Sequence, residues 1–328
     1  VGGESVATGP GASTFGWRAE SGERSTAVGH LATATGVRSV AIGENADAQG
    51  DNATAIGNES IANGADALAI GDTTMATGTS TTAVGGESIA NGTAATAFGW
   101  KSNATGERAH AMGHLATATG DRTLAVGEAA TAAGEQASAI GNEASATGID
   151  ATAIGTQSIA NGNSTTAVGG ESVADGLAAT AYGWKSNATG ERAHAMGHLA
   201  TATGDRTLAV GEAATATGEQ ASAIGNEASA TGIDAMAIGT QSVANGNSTT
   251  AVGGESVATG PGASTFGWRA ESGERSTAVG HLATATGIRS VAIGENADAQ
   301  GDNATAIGNE SIANGADALA IGDTAMAT

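Results

Sequence analysis

ASAIGNEASATGID, residues 137–150, contains the unit from which the fold is read. Ala137 and Ala139, then Ala144 and Ala146, alternate with Ser138, Ile140, Ser145 and Thr147, and the two stretches are closed by Gly141 and Gly148. A period of two puts successive side chains on opposite faces of an extended chain. Glycine at each arm's end supplies the backbone freedom a tight turn needs. These fourteen residues predict strand, turn, strand, turn.

The unit recurs along the whole chain. Glycines preceded by an apolar residue stand at 2, 16, 29, 43, 57, 71, 85 and 99, then every 14 residues to 267, then at 280, 294, 308 and 322, which makes 24 rungs. The two 13-residue spacings, 16 to 29 and 267 to 280, both fall in WRAESGERSTAVG, one residue shorter than WKSNATGERAHAMG, and the register continues past each. Stacked rungs form a parallel β-solenoid, in which every strand pairs with its equivalent one turn away. With strands about 4.8 Å apart, 24 rungs predict a rod of roughly 110 Å. A longer period overlies this one: residues 86–169 match 170–253 almost throughout, 3–85 form a related block, and 254–328 begin another. The expectation is one continuous β-roll over 1–328, a window from a longer chain.

The columns assign the faces. Two residues before the first glycine stands Ala in every rung from Ala27 on, Thr265 excepted, which fits only a narrow interior. The residue just before that glycine is apolar throughout: Val28, Ile42, Ile56, Ile70, Val84, Phe98, Met112, Val126, Ile140, Ile154, Val168, Tyr182, Met196 and onward. It lies on the opposite, outward side. A continuous apolar stripe exceeds what a soluble monomer leaves bare, so another chain must cover it. The outward residues of the second arm, such as Thr33 and Thr35 or Ile61 and Asn63, are expected to face water.

Composition narrows the function. Only eight residues are aromatic while glycine reaches 53, so the core is thin and made of small side chains. A net charge of −21 repels phosphate backbones and anionic lipid heads, which argues against nucleic acid as a partner. No run of 18 apolar residues is long enough to span a bilayer, so these residues are not expected to insert into a membrane. The absence of cysteine removes disulfide and thiolate chemistry. No nucleophile, base and orienting group stand out, and neither an enzyme activity nor a cofactor is expected.

The repeat SVAIGENADAQGDNATAIGNESIANGADALAIG, residues 39–71, resembles the YadA-like head of trimeric autotransporter adhesins, and the resemblance extends over the whole chain. It implies an all-β, left-handed parallel β-roll assembled as a parallel homotrimer, displayed on the cell surface through an outer-membrane anchor that these residues do not include. The apolar column would then line the threefold axis. The implied function is attachment to host matrix, cells or abiotic surfaces. The alternatives are an ice-binding array, for which the Thr-x-Thr of LATATG is too often interrupted, and a purely structural fibre. A hexapeptide-repeat acyltransferase does not fit a rung of 14.

Two sets of residues are candidates for binding. His110 and His194 share the outward side with Met112 and Met196, where they either pack and bridge to water or, as three copies around an axis, hold an anion or a divalent metal. On strands no intrachain pair with His114 or His198 follows, because a turn intervenes. All four tryptophans, Trp17, Trp100, Trp184 and Trp268, directly follow a first glycine and are followed by Arg18, Lys101, Lys185 and Arg269. Such pairs either contact a ligand or cover the seam between chains. Glu107-Arg108 and Asp121-Arg122 read as solvated turn charges.

Overall fold

A computed structural model describes residues 1–328. The chain is all-β, with 23 three-residue strands, 24 two-residue strands and no helix. It divides into two compact units, Val1–Ser164 and Thr165–Thr328, each a parallel β-solenoid. In each, every rung contributes one strand of each length, and each strand pairs in parallel with its equivalent one rung on. Ser138, Ala139 and Ile140 face Thr152, Ala153 and Ile154 in the first unit, and Leu208, Ala209 and Val210 face Ser222, Ala223 and Ile224 in the second. The short rung keeps this register, since Glu20 and Ser21 pair with Thr33 and Ala34.

The interior is alanine. The middle residue of each three-residue strand and the second residue of each two-residue strand are buried almost without exception, as at Ala125, Ala132, Ala139 and Ala146. The remaining interior positions are alanine, serine or threonine at the end of each turn. Most hydroxyls there donate to the carbonyl of the glycine three residues earlier, Ser39 to Gly36 at 2.7 Å, Thr123 to Gly120 at 2.7 Å and Ser158 to Gly155 at 2.9 Å, while Thr74 donates to Gly85 and the Ser88 hydroxyl has no partner. A small polar group is thus buried with its hydrogen bond made, which removes the main cost of placing it there.

The turns differ from the expectation in one respect. The first glycine of a rung has positive φ, as Gly141 at 139°, so its conformational freedom is used. The second does not. At Gly148 the requirement is space, because a Cβ there would run into the carbonyl oxygen of Gly162 in the next rung. The left-handed residue in these turns is instead the one two places after each glycine, and it is seldom glycine: Arg38 at φ 60°, Asn45 at 54°, Leu115 at 58°, Asp150 at 54°. An L-residue pays roughly 1–2 kcal/mol for that conformation. The ladder offsets it, since the same residue's N–H donates to the preceding rung, Leu115 to Trp100 at 3.0 Å and Arg122 to Glu107 at 2.7 Å.

The acidic turn residues also have structural work. Where the first residue of a second turn is Asp or Asn, its side chain caps the N–H of the equivalent residue in the preceding rung. Val37 donates to Asp51 at 2.9 Å, Glu107 to Asp121 at 2.9 Å and Ile149 to Asn163 at 3.1 Å. Asp121 is therefore a cap rather than a free solvated charge. The outward second-arm residues correct the expectation too: Thr33, Asp47 and Ile61 are half-buried, and only the next outward residue, as Thr35, Gln49 and Asn63, is exposed.

Candidate binding surface

Two surfaces leave the solenoid with groups to offer. The first is the outward face of the three-residue strands. Its column just before the first glycine places large apolar side chains in solvent: Phe98 is 43% exposed, Ile140 36%, Ile154 38% and Tyr182 45%, with Ile42, Met112 and Met196 alike. Val28, Ile56, Ile70, Val84, Val126 and Val168, at the same position of their rungs, are half-buried. Threonine, serine, leucine or valine fills most of the companion column two residues earlier, and neither column contains Asp, Glu, Lys or Arg. His110 and His194 stand in that companion column, exposed, beside Met112 and Met196.

The second surface is the first turn. Trp100 stacks on His114 of the next rung, with ring centroids 5.0 Å apart and planes 12° apart, and His114 Nδ1 lies 3.4 Å from Glu128 Oε1 one rung further on. Toward the preceding rung, Lys101 Nζ stands 4.2 Å from the centre of the Trp100 ring and 3.5 Å from Glu87 Oε2. Beneath the ring is Gly86, where a Cβ would come within 3.2 Å of the indole Cδ1. The order along the stack is carboxylate, ammonium, indole, imidazole, carboxylate. Both indole faces are occupied, so an incoming group meets the ring edge and its charged neighbours.

The arrangement occurs four times. Trp17 stacks on His30 at 5.0 Å with Glu44 behind and Arg18 held by Glu4. Trp184 stacks on His198 at 5.1 Å with Glu212 behind and Lys185 on Glu171. Trp268 stacks on His281 at 5.0 Å with Glu295 behind and Arg269 on Glu255 at 2.6 Å. Sequence reasoning treated the tryptophans and the turn histidines separately. The signal was their spacing: each histidine follows its tryptophan by one rung, 13 residues in the short rungs and 14 in the others.

These clusters anchor a banding of the whole sequence. Every Lys, Arg, His, Phe, Tyr and Trp falls within residues 15–38, 98–122, 182–206 or 266–289. The band 98–122 holds Lys101, Arg108 and Arg122 against Glu107 and Asp121, net +1. The following 123–181 holds Glu128, Glu135, Glu143, Asp150, Glu171 and Asp175 with no cation, net −6. Aromatic and basic groups are thus delivered once per six rungs on an otherwise acidic surface.

An open cleft of about 490 Å³ in the second unit, lined by Asn296, Asp298, Glu310, Ile312, Thr324 and Met326, pairs no nucleophile with a base. No group of three or more His, Asp or Glu side chains within the chain is arranged around a common point to hold a metal ion.

Among solved structures, the collagen-binding domain of the Yersinia adhesin YadA is similar over 59% of this chain and 77% of that one, at 22% identity and a TM-score of 0.21. A comparison with curated protein sequences gives no match. The family model for the YadA head domain repeat matches residues 21–46, 48–74, 76–102, 104–127, 118–144, 146–172, 160–186, 188–211, 202–228, 230–256, 272–297 and 299–325. With the glycine ladder, the alanine interior and the two-strand rung accounted for along most of its length, the chain belongs to the YadA-like head family of trimeric autotransporter adhesins.

Proposed function

We propose that the chain is the head segment of a surface-displayed homotrimer, in which three copies cover one another's apolar face and leave the banded turns free to attach to host matrix, cells or abiotic surfaces. The observation that carries this reading is the outward column from Val28 through Phe98, Ile140 and Ile154 to Met196, apolar in every rung and uncovered in the single chain. A soluble protein does not leave so long an apolar strip in water. Three chains present the Trp-cation clusters in many copies, and weak contacts then add through avidity. The role is binding and projection, not catalysis, and the outer-membrane anchor belongs to segments outside these residues.

The test is the mass in solution by light scattering, for the wild type and for a variant carrying Ile140→Asp and Ile154→Asp. The expected result is three chains of 31.1 kDa, lost in the variant. A wild type that stays monomeric overturns the assembly. Saturable binding of the trimer to immobilised collagen, fibronectin or whole cells tests the attachment half of the proposal.

A further inference from the structure

The strand His110–Met112 and its repeat His194–Met196 differ from all the other three-residue strands in carrying an imidazole and a thioether at the two outward positions. Histidine and methionine two apart on a strand share a face and stand about 6.6 Å apart along it, close enough for both side chains to converge on one point above the strand. Both are exposed in the single chain. The strand neighbours of His110 and Met112 are Thr96 and Phe98 on one side and Leu124 and Val126 on the other; those of His194 and Met196 are Thr180 and Tyr182, and Leu208 and Val210.

Covering this face sets a chemical requirement. A buried imidazole needs partners for its ring nitrogens. The outward columns contain no carboxylate to supply one; the strand neighbours offer only the Thr96 hydroxyl to the first layer and the Thr180 hydroxyl and Tyr182 phenol to the second. The thioether beside it is a soft donor. Imidazole with thioether suits a soft, low-valent metal, whereas an anion would find no use for sulfur.

We propose that each His-Ala-Met layer binds one copper(I) ion, ligated by imidazole and thioether groups that converge from the three chains. This rests on the three-chain assembly proposed above, because one chain supplies only one histidine and one methionine per layer. The turn histidines are different in kind, each being engaged with a tryptophan and a glutamate.

The test is an anaerobic titration of the purified trimer with copper(I), kept reduced by ascorbate and buffered by a chromophoric copper(I) chelator, with light scattering on the same samples. The wild type is expected to withdraw about two copper ions per trimer, one for each of its two His-Ala-Met layers. His110→Thr with Met112→Val is expected to withdraw about one, and the same changes added at His194 and Met196 none. Neighbouring rungs already carry threonine and valine at these positions, as Thr96 and Val126, so the fold accommodates both changes. A wild-type trimer that withdraws no copper overturns the site and leaves the assembly standing. Copper retained by the fourfold variant overturns it as well, by placing the metal elsewhere. A monomeric wild type overturns the assembly and the site together.

Discussion

Asp47 shows how one residue departs from the rule of its column. It sits on the outward side of a two-residue strand, half-buried, with Oδ1 unpartnered and Oδ2 accepting from Gln49 Nε2 at 2.7 Å. Burial raises its pKa above the ordinary 3.8, and the Gln49 hydrogen bond opposes this without cancelling it. A carboxyl whose folded pKa is raised is held in its charged form at a cost. That cost is fully present above the raised pKa and vanishes below the ordinary one. Asparagine occupies the same column at Asn103 and Asn187, so the neutral isostere fits the site. Asp47→Asn is expected to raise the melting temperature at pH 7 by a few degrees at most, with the advantage shrinking as the pH falls to about 4 and below. Melting curves of both proteins across that range check it. A variant less stable than the wild type at pH 7 would mean that the charged bond to Gln49 outweighs the burial.

At the scale of the strand and turn, most of the fold was legible because every column repeats. One alanine in an Ala-rich chain means little, but Ala125, Ala139 and Ala153 in register leave no other interior. The reason for the second glycine was not legible, since the close approach at Gly148 exists only once Gly162 is stacked on it. Nor were the left-handed turn residues, because arginine, leucine and aspartate at those positions carry no glycine or asparagine signature. The Trp100–His114 stack was hidden for a related reason, in that 14 residues of separation become direct contact only through rung stacking. That contact ties neighbouring rungs through their side chains, in addition to the backbone ladder. A double-mutant cycle with Trp100→Ala and His114→Ala is therefore expected to give a coupling of about 0.5–1.5 kcal/mol in unfolding free energy, the range of stacked ring pairs. Additive losses would show two rings that are merely adjacent.

At the scale of the whole molecule the charge pattern bears on assembly. In a parallel, in-register trimer, like segments stand side by side, so three copies of the −6 stretch 123–181 face one another across the seams, and so do the weakly positive bands. Each chain contributes −21, and in the proposed trimer that repulsion would oppose the apolar contacts between the chains. The ion pairs within each chain are well exposed, such as Arg122–Glu135 at 2.7 Å and Lys101–Glu87 at 3.5 Å, and exposed pairs contribute little. Screening should then remove more repulsion than attraction. Raising sodium chloride from about 0.02 to about 0.5 M shortens the Debye length from roughly 20 Å to about 4 Å. The trimer's melting temperature is expected to rise over that interval, and the Ile140→Asp, Ile154→Asp variant, which has no seams to screen, should respond much less. A wild-type melting temperature that falls with salt would reverse the ordering of these effects. It would put the Glu87–Lys101–Trp100–His114–Glu128 stacks, rather than the apolar column, at the centre of what holds the head together.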